Sequence, residues 1–209
     1  MPEILTSATE SDGSYRRLKE YLDIPLLFEV RDFRTWRLSP DEVRKGREIW
    51  SYPNQAMLAP ADINAGRFCT GWLPIVTGLR GIVPWEIYEA GDYMESWLKN
   101  PCWFMVTPRS VGGYRVEPRL TSVMGHIGIW DLRYAETLRA LITEAERNGN
   151  DESRAVAAEL KEMLQRIDET TRGSYMYYYE TGYWKPEVFV TLREKVTDGI
   201  LKLNKALGR

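Results

Sequence analysis

The first 90 residues contain short apolar runs that are separated by polar turns. Residues 23–30 (DIPLLFEV) form an almost unbroken apolar run of strand length, as buried parallel strands do. Runs of similar length lie at 3–9, 48–52 and 81–88. Between 61 and 79 the apolar residues recur at helical spacing, which predicts a helix that ends near Gly78. Strands that alternate with helices predict an α/β fold with parallel pairing.

The last third of the chain has helical periodicity. Apolar residues recur every three or four positions over 131–148, 151–167 and 186–207, which predicts three helices. The sequence Asn-Gly-Asn at 148–150 predicts the turn between the first two. The aromatic segment 175–184 precedes the third helix. We predict that it is extended and packs between helices or against a partner, in preference to binding a ligand.

Together these elements predict a partial (β/α) barrel, with about three to four parallel strands and their helices, followed by C-terminal helices. Three or four strands are half of what a complete barrel needs. We expect a single domain over 1–209. Within it, 1–90 would form the βα units, 91–118 a long irregular loop, and 119–209 the C-terminal helical portion. Loops of that length are more often functional than accidental.

Composition excludes several classes of function. The 28 basic and 30 acidic residues argue against a nucleic-acid partner, and no apolar stretch is long enough to span a membrane. The N-terminus lacks the pattern of a secretory signal, so a cytoplasmic location and free thiols at Cys69 and Cys102 are the default expectation. With His126 as its single histidine, the chain lacks the usual ligands of a transition metal. We therefore expect no metal and no cofactor.

Four motifs follow one another in an order that is similar to that of a known enzyme family. They are 48–53 (EIWSYP), 65–72 (AGRFCTGW), 78–85 (GLRGIVPW) and 128–134 (GIWDLRY). Over roughly 3–205, their order and spacing resemble the C-terminal half of the catalytic barrel of glycoside hydrolase family 123 and related uncharacterised glycosidase-like proteins. The resemblance implies a β-N-acetylhexosaminidase-type activity, known in the family as β-N-acetylgalactosaminidase, in which the acetamido group of the substrate is the nucleophile.

The chain departs from the family pattern at the catalytic residues. The adjacent Asp-Glu pair of the family lies on an earlier strand, upstream of the motifs found here. Asp-Glu pairs do occur at 41–42, 151–152 and 168–169, but all three lie at predicted helix ends, where acidic residues serve as caps or complement the helix dipole. Val123 and His126 stand where the family has an acidic residue and an arginine. Catalysis by this chain alone is therefore not expected.

The aromatic residues Trp50, Tyr52 and Trp85 lie at or near the carboxyl ends of predicted strands. In an α/β barrel that end carries the site, and flat aromatic faces stack well on the CH surfaces of sugars. Glu86 could bind a sugar hydroxyl or act as a general acid. We therefore predict a sugar-binding site at these four residues and assign no catalytic residue. Core packing of the aromatic rings and a surface salt bridge at Glu86 are the alternatives.

Two further residues have alternative roles. His126 lies between glycines and could act as a base or sugar ligand, or could be a hydrogen-bonded loop histidine near a helix start. Asp131 precedes a helical apolar pattern and is interpreted as the N-cap of that helix.

Two functions stay open, and a third interpretation is an unrelated α/β domain whose motif matches are accidental. The chain is predicted to be a carbohydrate-active protein without its own catalytic pair. Alternatively, it is a non-catalytic sugar-binding or protein-interaction module that oligomerises through an open sheet edge. The expected partners are a carbohydrate ligand, together with either a second copy or the missing N-terminal half of a barrel.

Overall fold

The computed structural model describes residues 6–9, 24–28, 50–52, 64–82, 106–108, 116–118, 120–181 and 185–209. The chain divides into two compact units, 1–128 and 129–209.

Four short strands of the first unit form a parallel sheet. In sheet order they are β1 (Thr6–Thr9), β2 (Ile24–Phe28), β3 (Trp50–Tyr52) and β4 (Gly81–Ile82). In the register of the sheet, Leu26 lies opposite Trp50, and Trp50 lies opposite Gly81. Because all four strands run in the same direction, their carboxyl ends lie at one edge of the sheet.

The helical segment between β3 and β4 changes its hydrogen-bonding pattern in the middle. It consists of α1 (Asn64–Arg67), a π-helical turn (Phe68–Trp72) and α2 (Leu73–Thr77). In the π turn the N–H of Leu73 donates to the carbonyl oxygen of Phe68, five residues earlier. The segment ends at Gly78, whose φ of 78° suits glycine and whose N–H donates to the carbonyl oxygen of Pro74 at 2.9 Å. The predicted helix end at Gly78 is confirmed.

Among the described residues of the first unit, the buried apolar side chains of this segment form a core. They are Phe68, Cys69, Trp72, Leu73, Ile75 and Val76. Two more strands of the first unit, β5 (Val106–Pro108) and β6 (Val116–Pro118), pair antiparallel. They lie within 91–118, the segment predicted as an irregular loop, and the rest of that segment lies outside the described residues.

Three long helices dominate the remainder of the chain. α3 (Leu120–Asn148) begins in the first unit and continues into the second, which also contains α4 (Asp151–Thr181) and α5 (Pro186–Ala206). Each helix carries an apolar stripe that is buried in the unit. Leu138 of α3 and Leu160 of α4 both contact Gly199 of α5, where an added Cβ would lie 3.3 Å and 3.0 Å from their methyl carbons. The three helices therefore share one apolar seam.

The predicted turn at 148–150 is confirmed. The N–H of Gly149 donates to the carbonyl oxygen of Ala145 at 2.9 Å, which ends α3. The side-chain oxygen of Asn150 accepts a 2.8 Å hydrogen bond from the N–H of Ser153, which caps the start of α4. Asp151 and Glu152 lie in the first turn of α4, as the structural interpretation of this Asp-Glu pair predicted.

The predicted partial (β/α) barrel is wrong, and the chain is not a TIM-barrel fragment in its described part. The described residues are mostly helical, and the long elements are α3, α4 and α5 instead of βα units. The four parallel strands have between two and five residues each, and within the described residues β1 and β4 do not pair to close a barrel. The physical reason is that short apolar runs do not by themselves distinguish barrel strands from other buried segments.

Two helices extend further than predicted. α3 begins at Leu120 instead of Asp131, so 120–130 are helical. α4 continues to Thr181, so the aromatic run at 175–179 is helical and the prediction of an extended segment is wrong. The Asp-Glu pair at 168–169 therefore lies inside α4, where Asp168 accepts a 3.1 Å hydrogen bond from Arg172, one turn later. The pair at 41–42 lies outside the described residues.

Candidate functional site

Trp50 is the member of the predicted sugar site whose surroundings the structure describes. It is the first residue of β3 and lies between Leu26 of β2 and Gly81 of β4 in the sheet register. Its side chain is half-buried and lies over Gly81, where an added Cβ would come within 2.5 Å of the indole Cγ. The backbone of β4 therefore supports the indole ring, and only a residue without a side chain fits beneath it.

Of the other three residues of the predicted sugar site, the structure describes only the backbone of Tyr52. Tyr52 ends β3, and its backbone lies opposite Phe28, the last residue of β2. Tyr52 is thus at the edge of the sheet where the parallel strands end. Trp85 and Glu86 lie outside the described residues. The structure brings Trp50 and Tyr52 onto one strand, and the convergence of all four residues stays a prediction.

Asp131 is not the N-cap that the sequence suggested. It lies inside α3, its side chain is fully buried, and it accepts a hydrogen bond from the guanidinium Nε of Arg193 on α5. This buried ion pair joins two helices of the second unit. Because the carboxylate is buried, it is not accessible to solvent or to a ligand. Sequence reasoning missed Arg193, although its position next to the buried Leu192 is a signal that it borders the core.

His126 is also placed differently from its prediction. It lies in the N-terminal part of α3 and is exposed, as is Val123 one turn earlier. The prediction of a loop histidine is wrong, since the glycines on either side of His126 belong to the helix.

Those glycines mark a close crossing of two helices in the first unit. A Cβ added to Gly71 would lie 2.5 Å from the carbonyl oxygen of Gly128, and one added to Gly128 would lie 2.3 Å from Oγ1 of Thr70. The Thr70 hydroxyl lies 2.6 Å from the carbonyl oxygen of Gly125 and 2.9 Å from that of Gly66, so one hydroxyl serves both helices. Gly125 and Gly128 were the sequence signal for this crossing, although in the sequence they indicate a loop around His126.

Buried polar residues surround the π turn at this crossing. Asn64 and Arg67 are each 5% exposed, and Cys69 is a fully buried free thiol. Each of them has an interaction partner within the protein. The buried thiol agrees with the default expectation of a free thiol at this position, while Cys102 lies outside the described residues.

Many carboxylates of the second unit pair with cations on its surface. Glu146 accepts from Lys161 at 2.8 Å, and Glu159 accepts from Lys202 at 2.6 Å. Such exposed pairs join neighbouring helices and contribute at most about 1 kcal/mol each. They do not form the close pair of carboxyl groups that glycoside hydrolysis requires.

An exposed group of side chains on α3 was not anticipated. Ile129, Trp130 and Tyr134 are 40%, 45% and 39% exposed, and the guanidinium of Arg133 lies 5.0 Å from the centre of the Trp130 ring. These residues lie off the buried stripe of α3, so the helical pattern of the sequence already separated them from the core. A cation above an exposed indole contributes about 0.5–1 kcal/mol, which favours this arrangement of the two side chains.

The described residues contain no group of three or more His, Cys, Asp and Glu that could hold a metal ion. Among the described helices, none combines the length and apolar character that a membrane crossing requires.

Comparisons with known proteins give no relative for this chain: no family model matches it, and no curated protein or solved structure does either. The resemblance to glycoside hydrolase family 123 therefore stays a prediction that rests on the four sequence motifs.

Proposed function

We propose that this chain is a carbohydrate-binding protein of the hexosaminidase-like type that does not hydrolyse its ligand by itself. The observation that carries the proposal is the half-buried indole of Trp50 on the inner strand β3, which lies over Gly81 of the edge strand β4. The motif that contains Trp50 is also the first of the four that resemble glycoside hydrolase family 123.

The placement of Trp50 supports sugar stacking for a physical reason. A ring that is already packed against backbone loses little conformational freedom when a ligand covers its open part. The flat indole then buries the CH surface of a pyranose at low entropic cost. Trp85 and Glu86 would add a second ring and a hydrogen-bond acceptor, as the sequence predicts.

The surroundings of the acidic residues support binding without hydrolysis. Asp131 is buried in an ion pair with Arg193, and Asp168 is paired with Arg172 within α4. The family that the motifs resemble uses an adjacent Asp-Glu pair, and hydrolysis needs a carboxyl group that can donate a proton to the leaving group. Asp131 instead joins α3 to α5, and Asp168 pairs with a cation one turn away on its own helix.

Titration of the full chain with N-acetylgalactosamine, followed by saturation-transfer NMR and calorimetry, tests the proposal. We expect millimolar binding that Trp50→Ala removes and Trp50→Phe weakens. Trp130→Ala is the matched control, because it removes an exposed indole at a different place. Wild-type protein that binds neither N-acetylgalactosamine nor N-acetylglucosamine, or equal losses in the Trp50 and Trp130 variants, would overturn the proposal.

A chromogenic N-acetyl-β-galactosaminide separates binding from catalysis. We expect no turnover above that of buffer. Turnover that persists through purification of the wild-type chain would contradict the non-catalytic part of the proposal and leave the sugar-binding part intact.

The alternative of association through the sheet edge has less support. β1 offers four residues and β4 offers two. Strands this short present few backbone groups to a further strand.

A further inference from the structure

We propose that α3 pairs with α3 of a second copy of this chain, antiparallel about a two-fold axis that passes between Tyr134 and Ala135. The surface involved is the outward face of α3 in the second unit, which we call the outer stripe. Its members are Ile129, Arg133, Glu136 and Ala140, and all four are exposed.

The spacing of these residues places them in one line. Steps of four, three and four residues keep side chains on the same side of an α-helix, because 3.6 residues make one turn. The buried residues Asp131, Ala135, Leu138 and Ile142 belong to the opposite side of α3. The outer stripe therefore points away from the core of the second unit.

The order of residue types along the outer stripe is self-complementary. A two-fold axis between 134 and 135 places Arg133 of each copy opposite Glu136 of the other, and Ile129 opposite Ala140. The two-fold axis repeats each contact, so the dimer has two Arg133–Glu136 contacts of opposite charge and two apolar contacts between Ile129 and Ala140. An isologous dimer requires this kind of match, since the same patch must fit itself.

The neighbouring aromatic residues favour the same arrangement. Trp130 and Tyr134 flank the outer stripe and are 45% and 39% exposed. The guanidinium carbon of Arg133 lies 5.0 Å from the centre of the Trp130 ring, a contact that favours the observed position of the charge. Arg139 lies 2.6 Å from Glu136 on the same helix, and this exposed pair leaves Glu136 53% exposed and open to a second cation.

A contact along one helix face is small, so we expect a weak dimer that forms in the micromolar range or above. Sedimentation velocity of the full chain over increasing concentration measures it. We expect reversible dimerisation of the wild type, at least tenfold weaker association for Arg133→Glu and for Glu136→Arg, and recovery in the double variant.

A mixture of the two single variants gives the sharpest result. Arg133→Glu and Glu136→Arg each place like charges opposite each other in a dimer of identical chains, whereas a mixed pair has opposite charges at both contacts. We expect the mixture to associate more tightly than either variant alone, which a folding defect cannot produce.

Leu201→Ala is the control variant. It removes another exposed apolar side chain, 63% exposed on α5, and should leave association unchanged. A wild-type monomer at every concentration, or charge variants that associate as the wild type does, would overturn the inference.

Discussion

Asp131 and Arg193, 62 residues apart in the sequence, form an ion pair that joins α3 to α5. The two partners differ in burial: the Asp131 side chain is fully buried, whereas the Arg193 side chain is 31% exposed. Removing the arginine leaves a carboxylate in the core without this cation. Removing the carboxylate leaves a guanidinium that can turn toward water.

This asymmetry predicts unequal losses of stability. Arg193→Met should lower the free energy of unfolding by about 3 kcal/mol, and Asp131→Asn by about 1 kcal/mol, since a fully buried carboxylate that loses its cation costs more than a partly exposed guanidinium that loses its acceptor. Urea unfolding followed by circular dichroism measures both. Lys161→Met breaks the exposed pair with Glu146 and should change the free energy by less than about 1 kcal/mol. Equal losses for the two core variants would contradict the prediction.

The glycine crossing in the first unit predicts opposite effects for two Gly→Ala changes. Gly128→Ala should destabilise by about 1–3 kcal/mol, because the new methyl group would overlap Oγ1 of Thr70 and the carbonyl oxygen of Arg67. Gly173→Ala, inside α4 with nothing within 4 Å of the added carbon, should stabilise by about 0.5–1 kcal/mol. Thermal unfolding of both variants checks this. A stabilised Gly128→Ala variant would mean that the helices are not in close contact there.

The Thr70 hydroxyl provides a finer test of the same crossing. Thr70→Val keeps the shape of the side chain but leaves the carbonyl oxygen of Gly125 without its 2.6 Å donor. We expect a loss of about 1 kcal/mol in unfolding free energy. Thr70→Ser retains the hydroxyl and should lose less. If Thr70→Ser were less stable than Thr70→Val, the packing of the Thr70 methyl group would contribute more to stability than its hydrogen bond.

Sugar binding should depend on Gly81 even though glycine offers no side chain to a ligand. An added Cβ at Gly81 would lie 2.5 Å from Cγ of Trp50, so Gly81→Ala must displace the indole. We expect the affinity for N-acetylgalactosamine to fall about tenfold, comparable to the loss of one aromatic contact. Calorimetric titration measures the affinity of Gly81→Ala. The Gly173→Ala variant is the control, because it adds the same methyl group in α4, where it has space, and should leave the affinity unchanged. Unchanged affinity in Gly81→Ala would show that the observed pose of Trp50 is not the binding pose.

Local signals were sufficient to predict several boundaries. Gly78 ends α2, and Asn148, Gly149 and Asn150 turn the chain between α3 and α4, because each position has its own backbone or capping requirement. The buried stripe of α3 from Ala135 to Ala145 likewise follows from spacing alone.

Features that depend on distant residues could not be predicted in this way. Gly125 and Gly128 resemble loop glycines in sequence, yet they lie in α3, where the missing side chain of Gly128 lets another helix approach closely. Asp131 resembles an N-cap until its partner Arg193 is known. The predicted partial barrel was wrong for a related reason. Short apolar runs indicate burial, but they do not determine whether strands continue around a barrel.

The π-helical turn at Phe68–Trp72 has a consequence for how this segment tolerates insertions and deletions. Each residue of an α-helix advances the chain by about 100° around the axis. Phe68 and Trp72 in the turn, and Ile75 and Val76 after it, are all buried, so the wider turn sets the rotation at which α2 meets the core. Because a π turn holds one residue more than an α turn, the loss of one residue within 68–72 would convert it to an α turn and leave the rotation of α2 nearly unchanged. The loss of a second residue would rotate α2 by about 100° and carry its apolar side chains away from the core. The π turn is therefore the place where this segment can lose one residue and keep the same face of α2 against the core.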